Sequence, residues 1–552
     1  MFKQMYNSAI AQVLFSVLIL LNTTVLFAQK YSRADSLRGC ASSYREAIDI
    51  ISYDLNIKLN IENKFIEGHN DIIFRANANT KEIQLDLFEN MKILDVSKGN
   101  TPLNFRREFN AFFVSFPEAI IKGQVYKIRV KYNGNPTAAN NPPWDGGLIW
   151  RTTPQGKPWI GVACEGIGAS LWWPNKDHLS DEPDSMWIRV AVPDSLQNIS
   201  NGQLKDKVKL SGGYTRWDWF VSYPINNYNV TLNVGDYAHF SDIHINGNDT
   251  LKMDYYVLPE NLEKAKIQFQ QAKKTIEAFE FYFGKYPFYR DGYKLIETPY
   301  AGMEHQSAIA YGNKYLPGYW GRHLPGIDFD YIIIHETGHE WWGNKVSVKD
   351  VADLWVHEGF CTYSEVLYVE YTLGKEAAER YAFNMRKRIR NDKPIIGDYE
   401  VNNEGSGDMY NKGAVMLHTL RKYLNNDPLF FSILKGIQTE FAYETVTTKQ
   451  IENYIAAKAG LDLKAFFEQY LRKSWKPIFE YYFEGKGKEA KLVYRWNAEK
   501  GFELPIYVTT EKGKYTELKP IHLNQNIAIK IKPKKFKVDE TTGYFDYENM
   551  RK

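Results

Sequence analysis

A multidomain α+β fold is predicted by two changes of hydrophobic period along the 552 residues. Apolar and polar side chains alternate from residue 29 to about 252, the period of half-buried strands. From Asn261 the apolar positions recur at three- and four-residue steps, the period of an amphipathic helix. After Pro477 the alternation returns. The expected order is a leader (1–28), an amino-terminal β domain (29–252), an α-rich domain (253–475) and a small carboxy-terminal β domain (476–552), a length ample for several cores.

At the amino terminus Lys3 precedes an apolar run from Ala11 to Leu21, and Val25 to Ala28 offers a small residue for cleavage before Gln29. This is the pattern of a secretory signal, which implies a secreted or periplasmic protein with no stable membrane partner once the signal is cut. An uncleaved single membrane anchor is the alternative, and no second segment of membrane length follows. Leu37-Arg38-Gly39-Cys40 faintly resembles a lipid-attachment box but lies well past the apolar run. Three cysteines, Cys40, Cys164 and Cys361, allow at most one disulfide and are read as ordinary thiols.

In the β domain Tyr53, Leu55, Ile57, Leu59 and Ile61 alternate strictly, as do Ile83, Leu85 and Leu87, and Tyr126, Ile128, Val130 and Tyr132. Asn133-Gly134-Asn135-Pro136 and Asn246-Gly247-Asn248 punctuate it as turns. One long helix is then expected through Leu262, Ala265, Phe269, Ala272, Ile276 and Phe279, with short extended pieces at Tyr293 to Ile296 and Ser307 to Tyr311. Strands at Ile478 to Phe483, Lys491 to Trp496 and Ile527 to Lys532 are of the number that a small sandwich uses. Net charge is only +3 with 24% charged residues, so nothing points to nucleic acid, and the basic run Lys530 to Lys537 reads as a solvated strand face.

The chemistry sits in the α-rich part. His335-Glu336-Thr337-Gly338-His339 places two imidazoles four residues apart, one above the other on a helix, with Glu336 beside them. An apolar lead-in through Ile332 to Ile334 and the stop at Gly343-Asn344 put His335 to Trp342 on a buried helix. With eighteen residues between it and His339, Glu358 lies on a second helical pattern, about Val351 to Leu373. Two imidazoles and one carboxylate suit one Zn²⁺ per chain and leave a fourth position open, the mark of a catalytic rather than a structural site. Asp353 is a candidate to orient a ligand imidazole, and His357 should point elsewhere on its helix.

Asp353 to Phe360, together with Trp341-Trp342-Gly343-Asn344, resembles the zinc aminopeptidases of the aminopeptidase N and leukotriene hydrolase family. The resemblance implies a β-saddle amino-terminal domain, a thermolysin-like catalytic domain and a small β-sandwich. Gly302-Met303-Glu304 resembles the family's G-A-M-E-N motif, with His305 replacing the asparagine. This implies that Gly302, Met303 and Glu304 bind substrate, Glu304 pairing with the free α-ammonium of a peptide. His305, if protonated, would add a second cation there. Cys164-Glu165-Gly166 to Pro174 resembles the stretch that sends a second acidic or amide group to the same ammonium, implying that role for Glu165, although Ser170 stands where the family often has arginine. Tyr410-Asn411-Lys412-Gly413 matches the family's tyrosine-x-lysine-glycine and implies that Tyr410 stabilises an oxyanion.

The function expected is zinc-dependent removal of the first residue from peptides with a free amino terminus, with Glu336 as general base. Two rivals stand beside it: a thermolysin-like endopeptidase, which needs no free amine, and a non-catalytic peptide-binding module.

Overall fold

The computed structural model describes residues 30–485 and 490–550; the leader expected at 1–28 lies outside them. Alternation in the first part of the chain produces an eight-stranded sheet. Its order is Gln203–Leu210, Tyr214–Val221, Ser185–Pro193, Ile48–Asn60, Phe65–Ala76, Val125–Gly134, Met91–Lys98 and Thr101–Pro102. Ile48–Asn60 pairs parallel with Ser185–Pro193 and antiparallel with Phe65–Ala76. Tyr53, Leu55, Ile57 and Leu59 all turn to the buried face, as a two-residue period requires. A three-stranded and a four-stranded sheet complete this part.

The period change near Asn261 marks a real change of structure, but the expected boundary at 252/253 falls inside a strand. Asp249–Val257 hairpins with Ala238–Asn246 and pairs parallel with Tyr293–Glu297. The hairpin thus belongs to a five-stranded sheet with Tyr293–Glu297, Ile309–Tyr311 and, at the edge, Gly302–Met303. The single long helix expected after it is two, Leu262–Gln268 and α1 (Gln270–Phe283), because the chain bends at Phe269. Three further helices position the site: α2 (Tyr331–Gly338), α3 (Trp355–Leu373) and α4 (Asn411–Leu424).

In the carboxy-terminal part Ile478–Glu484, Lys491–Asn497, Gln525–Ala528 and Asp546–Asn549 form one sheet, and Ile506–Glu511 with Lys514–Leu518 a hairpin. The expected strand to Lys532 stops at Ala528, and the basic run lies around a 3-10 turn, Pro533–Lys535, not on a strand face. This part shares one apolar core with the helices, running from Leu251 to Phe545. A second core gathers the strands before residue 238 and also takes in Ile296, Tyr300, Met303, Ala308 and Ala310. The segment that carries Glu304 therefore sits where the two cores meet, with Tyr300, Met303 and Ala308 in the second and Ala301 in the first, which also holds the metal motif's helices. All three cysteines are free, and among the described residues no helix is long and apolar enough to cross a membrane.

Candidate active site

The Asp330 carboxylate caps α2, accepting from the backbone N–H of Ile332 and Ile333 at 3.1 and 3.4 Å. The helix begins and ends earlier than the expected His335 to Trp342 and stops at Gly338, with His339 at the C-cap. His339 keeps helical dihedrals (φ −62°, ψ −22°), so the four-residue spacing still brings the two imidazoles together, their centroids 4.9 Å apart.

From α3, Glu358 meets them. Its Oε2 lies 3.3 Å from His335 Nε2 and 3.5 Å from His339 Nε2, and that oxygen is buried without a hydrogen-bond partner. Tetrahedral ligands at the usual zinc distance of about 2.0–2.1 Å stand about 3.3 Å apart, so the three donors fit one Zn²⁺. The other ring nitrogens are already engaged. His335 Nδ1 is 3.0 Å from Glu365 Oε1, whose partner oxygen accepts from Tyr381 at 2.6 Å. His339 Nδ1 is 2.9 Å from the carbonyl of Trp342. Each contact sets a tautomer that turns Nε2 toward the metal position.

Donor atoms of His335, His339 and Cys361 also lie within 4.8 Å of one another, as do those of Glu304, His339 and Glu358. Cys361 is committed elsewhere, its thiol donating to the His335 carbonyl at 2.7 Å. Asp353 does not orient an imidazole: it accepts from Tyr399 (2.6 Å) and Thr448 (2.5 Å). Glu365 does so instead. It stands two helical turns past Glu358 on the same face, and that spacing was the available signal. His357 points away, accepting from the Val348 N–H at 3.0 Å.

Glu336 lies against the Gly302 backbone, where a Cβ would come within 2.6 Å of its Oε1; only glycine lets the edge strand pass so close. Burial pushes the Glu336 carboxyl up to about 7, with the two imidazoles pulling the other way. The Tyr410 ring lies nearly parallel to His335, 6.0 Å between centroids. Burial, then Glu358 and Glu165, hold its phenol protonated. It is brought there by a glycine crossing: a Cβ on Gly413 of α4 would sit 2.8 Å from the Cα of Gly359 of α3.

Glu304 faces His339 and Glu358 from the edge strand, one oxygen accepting from Tyr228 at 3.0 Å. Asn344 donates to the Glu304 carbonyl at 2.9 Å and so ties the loop to the turn after the histidines. Burial raises the Glu304 carboxyl. Burial first, then the charges of Glu304 and Glu358, raises that of Glu165, whose Oε1 is buried and unpartnered. Met303 packs its side chain in the amino-terminal core. His305 adds no cation: it is fully buried, 2.9 Å from the Val162 carbonyl, and desolvation lowers its pKa to about 4. Tyr228 and Tyr381 meet the site across fold contacts that no local pattern marks, whereas Tyr331 stands one helical turn before His335 on the same helix.

Residues 267–470 match the family model described as Peptidase family M1 domain. Human (Homo sapiens) endoplasmic reticulum aminopeptidase 1 is 24% identical over 362 residues, 62% of this chain and 38% of that protein. Probable aminopeptidase 2 of Sulfurisphaera tokodaii is 24% identical over 396 residues, 66% of this chain and 48% of its own length. The matched region spans less than half of either relative. The M1 zinc metallopeptidase of Deinococcus radiodurans superposes with a TM-score of 0.66 at 19% identity, covering 78% of this chain and 95% of that one. The segment that matches the M1 family model holds both histidines, Glu358 and Tyr410.

Proposed function

We propose that this chain is a zinc-dependent aminopeptidase, one metal per chain, that removes the first residue from peptides with a free amino terminus. The observation that carries the reading is the pair Glu304 and Glu165. Two buried carboxylates repelling each other beside a metal position are costly alone and complementary to an ammonium group. The named relatives are aminopeptidases, and a variant of the Deinococcus radiodurans relative was crystallised with a Tyr-Ser-Ala substrate.

His335, His339 and Glu358 would hold a zinc ion, which when bound would supply Lewis-acid chemistry at the scissile carbonyl and its attacking water. Glu336 takes the proton from the attacking water and delivers it to the departing amine. Tyr410, kept protonated, donates to the oxygen on which negative charge develops, a contact that strengthens toward the transition state. Glu304 and Glu165 hold the peptide by its ammonium, which fixes the bond presented for attack. The edge strand Gly302–Met303 sets the depth of that approach.

The test is a panel of free-amine and matched amine-blocked substrates, with and without chelator, beside Glu304→Ala. Zinc-dependent cleavage restricted to free amines supports the reading. Cleavage of blocked substrates that survives Glu304→Ala makes the chain an endopeptidase, and no turnover with zinc fully bound makes it a binding module. The leader motif supports export to a secreted or periplasmic location as part of the same proposal, and mass analysis of the mature amino terminus checks it.

A further inference from the structure

Two sides of the metal position differ in chemistry. Glu304 stands with His339 and Glu358, their donor atoms within 4.8 Å of one another, whereas the far side of His335 is aromatic. Tyr331 stacks on the His335 ring at 5.1 Å and 16°, and its hydroxyl is 3.3 Å from Nδ1. Tyr319 packs edge-on against Tyr331 at 5.3 Å, and Trp320 stacks on Tyr319 at 5.0 Å and 23°. The outermost ring, Trp320, is 46% exposed.

This row is built and held, not a chance of surface packing. Trp320 has φ +50°, a left-handed backbone that a bulky residue keeps only when its surroundings impose it. Asn313, fully buried, imposes it: its Oδ1 accepts from the Trp320 N–H at 2.8 Å, and its Nδ2 donates to the carbonyls of Leu316 and Gly318. Gly318 in turn exchanges backbone bonds with Phe329 and Tyr331, at 2.7 and 3.1 Å, at the start of α2. The loop is thus tied by backbone bonds to the start of the His335 helix.

Resting on the aminopeptidase reading, we propose that Tyr319 and Trp320 form the subsite for the second residue of the substrate and select an aromatic side chain there. A peptide anchored by its ammonium on the His339 side must send its departing portion past His335, and the first surface it meets is this row. A ring in that position stacks on a face already held in place, so little ordering cost opposes the contact.

The test compares Leu-Phe-Gly, Leu-Ala-Gly and Leu-Ala-Phe on zinc-loaded protein. Cleavage is measured with the wild type, Trp320→Ala and Trp320→Phe, and binding by calorimetry with Glu336→Gln, alone and combined with Trp320→Ala. Leu-Phe-Gly is expected to exceed Leu-Ala-Gly in kcat/KM and in affinity by about three- to tenfold. Trp320→Ala should bring the two peptides level, and Trp320→Phe, which keeps a ring on the same backbone, should retain most of the preference. An absent preference, one untouched by Trp320→Ala, or one that follows the third residue in Leu-Ala-Phe overturns the subsite. A binding preference without cleavage of any free-amine peptide instead sustains the subsite and removes the aminopeptidase reading.

Discussion

The metal end and the anchor end of the site are built in different ways. At the metal end every donor comes from α2 or α3, within one apolar core, and each imidazole is locked by a neighbour of that core. At the anchor end Glu165 and Glu304 come from segments about 140 residues apart and are held by contacts between elements, Tyr228 and Asn344 for Glu304 and the His305 contact with Val162 for its loop. On the proposed function, binding the metal and recognising the amino terminus are separable properties, so substitutions at the two ends should fail differently.

The largest effect expected is from Glu336→Gln, which should lower kcat by about 10²–10⁴-fold while zinc content, measured by elemental analysis, stays at the wild-type level. Lost zinc would break the separation. Glu365→Ala should act oppositely, weakening zinc affinity by about 10–100-fold as read by chelator competition, with activity restored at saturating zinc. Glu304→Gln should lower kcat/KM for free-amine substrates by about 10–100-fold, the worth of one charge-assisted contact, without changing zinc affinity. Gly413→Ala sharpens the comparison from the other direction. The added Cβ, 2.8 Å from Gly359 Cα, should cost about 1–3 kcal/mol by overpacking and displace Tyr410, so that kcat falls more than KM changes.

The smallest effect concerns pH and belongs to the anchor end. His178 lines a cavity beside Glu165, with Nε2 3.1 Å from the Gly39 carbonyl and Nδ1 accepting from Ser180. Burial lowers its pKa from 6.5 to about 3, so the unfolded chain takes up the proton first. The stability it contributes is complete above pH about 6.5 and drains away as pH falls toward 3, by at most about 1.4 kcal/mol per unit. Between pH 6.5 and 5 the melting temperature of the wild type should fall more steeply than that of His178→Asn; equal slopes would remove His178 as the cause.

How much of this was readable in advance follows from the range of each contact. His335, His339 and Glu358 were readable because two helices bring residues at fixed spacing onto one face, and strand alternation from Tyr53 to Leu59 mapped directly onto burial. Glu365 obeys the same spacing, two helical turns after Glu358. The boundary at 252 failed because alternation marks a strand but not the sheet it joins, and Asp249–Val257 joins the later one. Tyr228, Asn344 and the Tyr319–Trp320 row depend on segments meeting in space, which no period in one segment encodes.

The shared carboxy-terminal core has a consequence for time. Tyr544 donates its backbone N–H to Thr419 of α4 at 3.0 Å, and Gly543 packs against the same side chain. These residues lie 125 positions downstream of Thr419, and a ribosome adding about 5–20 residues per second needs about 6–25 s to make them. For that interval the helix that opens at Tyr410 exists without its cover. The nascent chain therefore holds the complete histidine and glutamate motif well before it holds a settled site, and that interval is when its apolar helix faces are most open to chaperones and to aggregation.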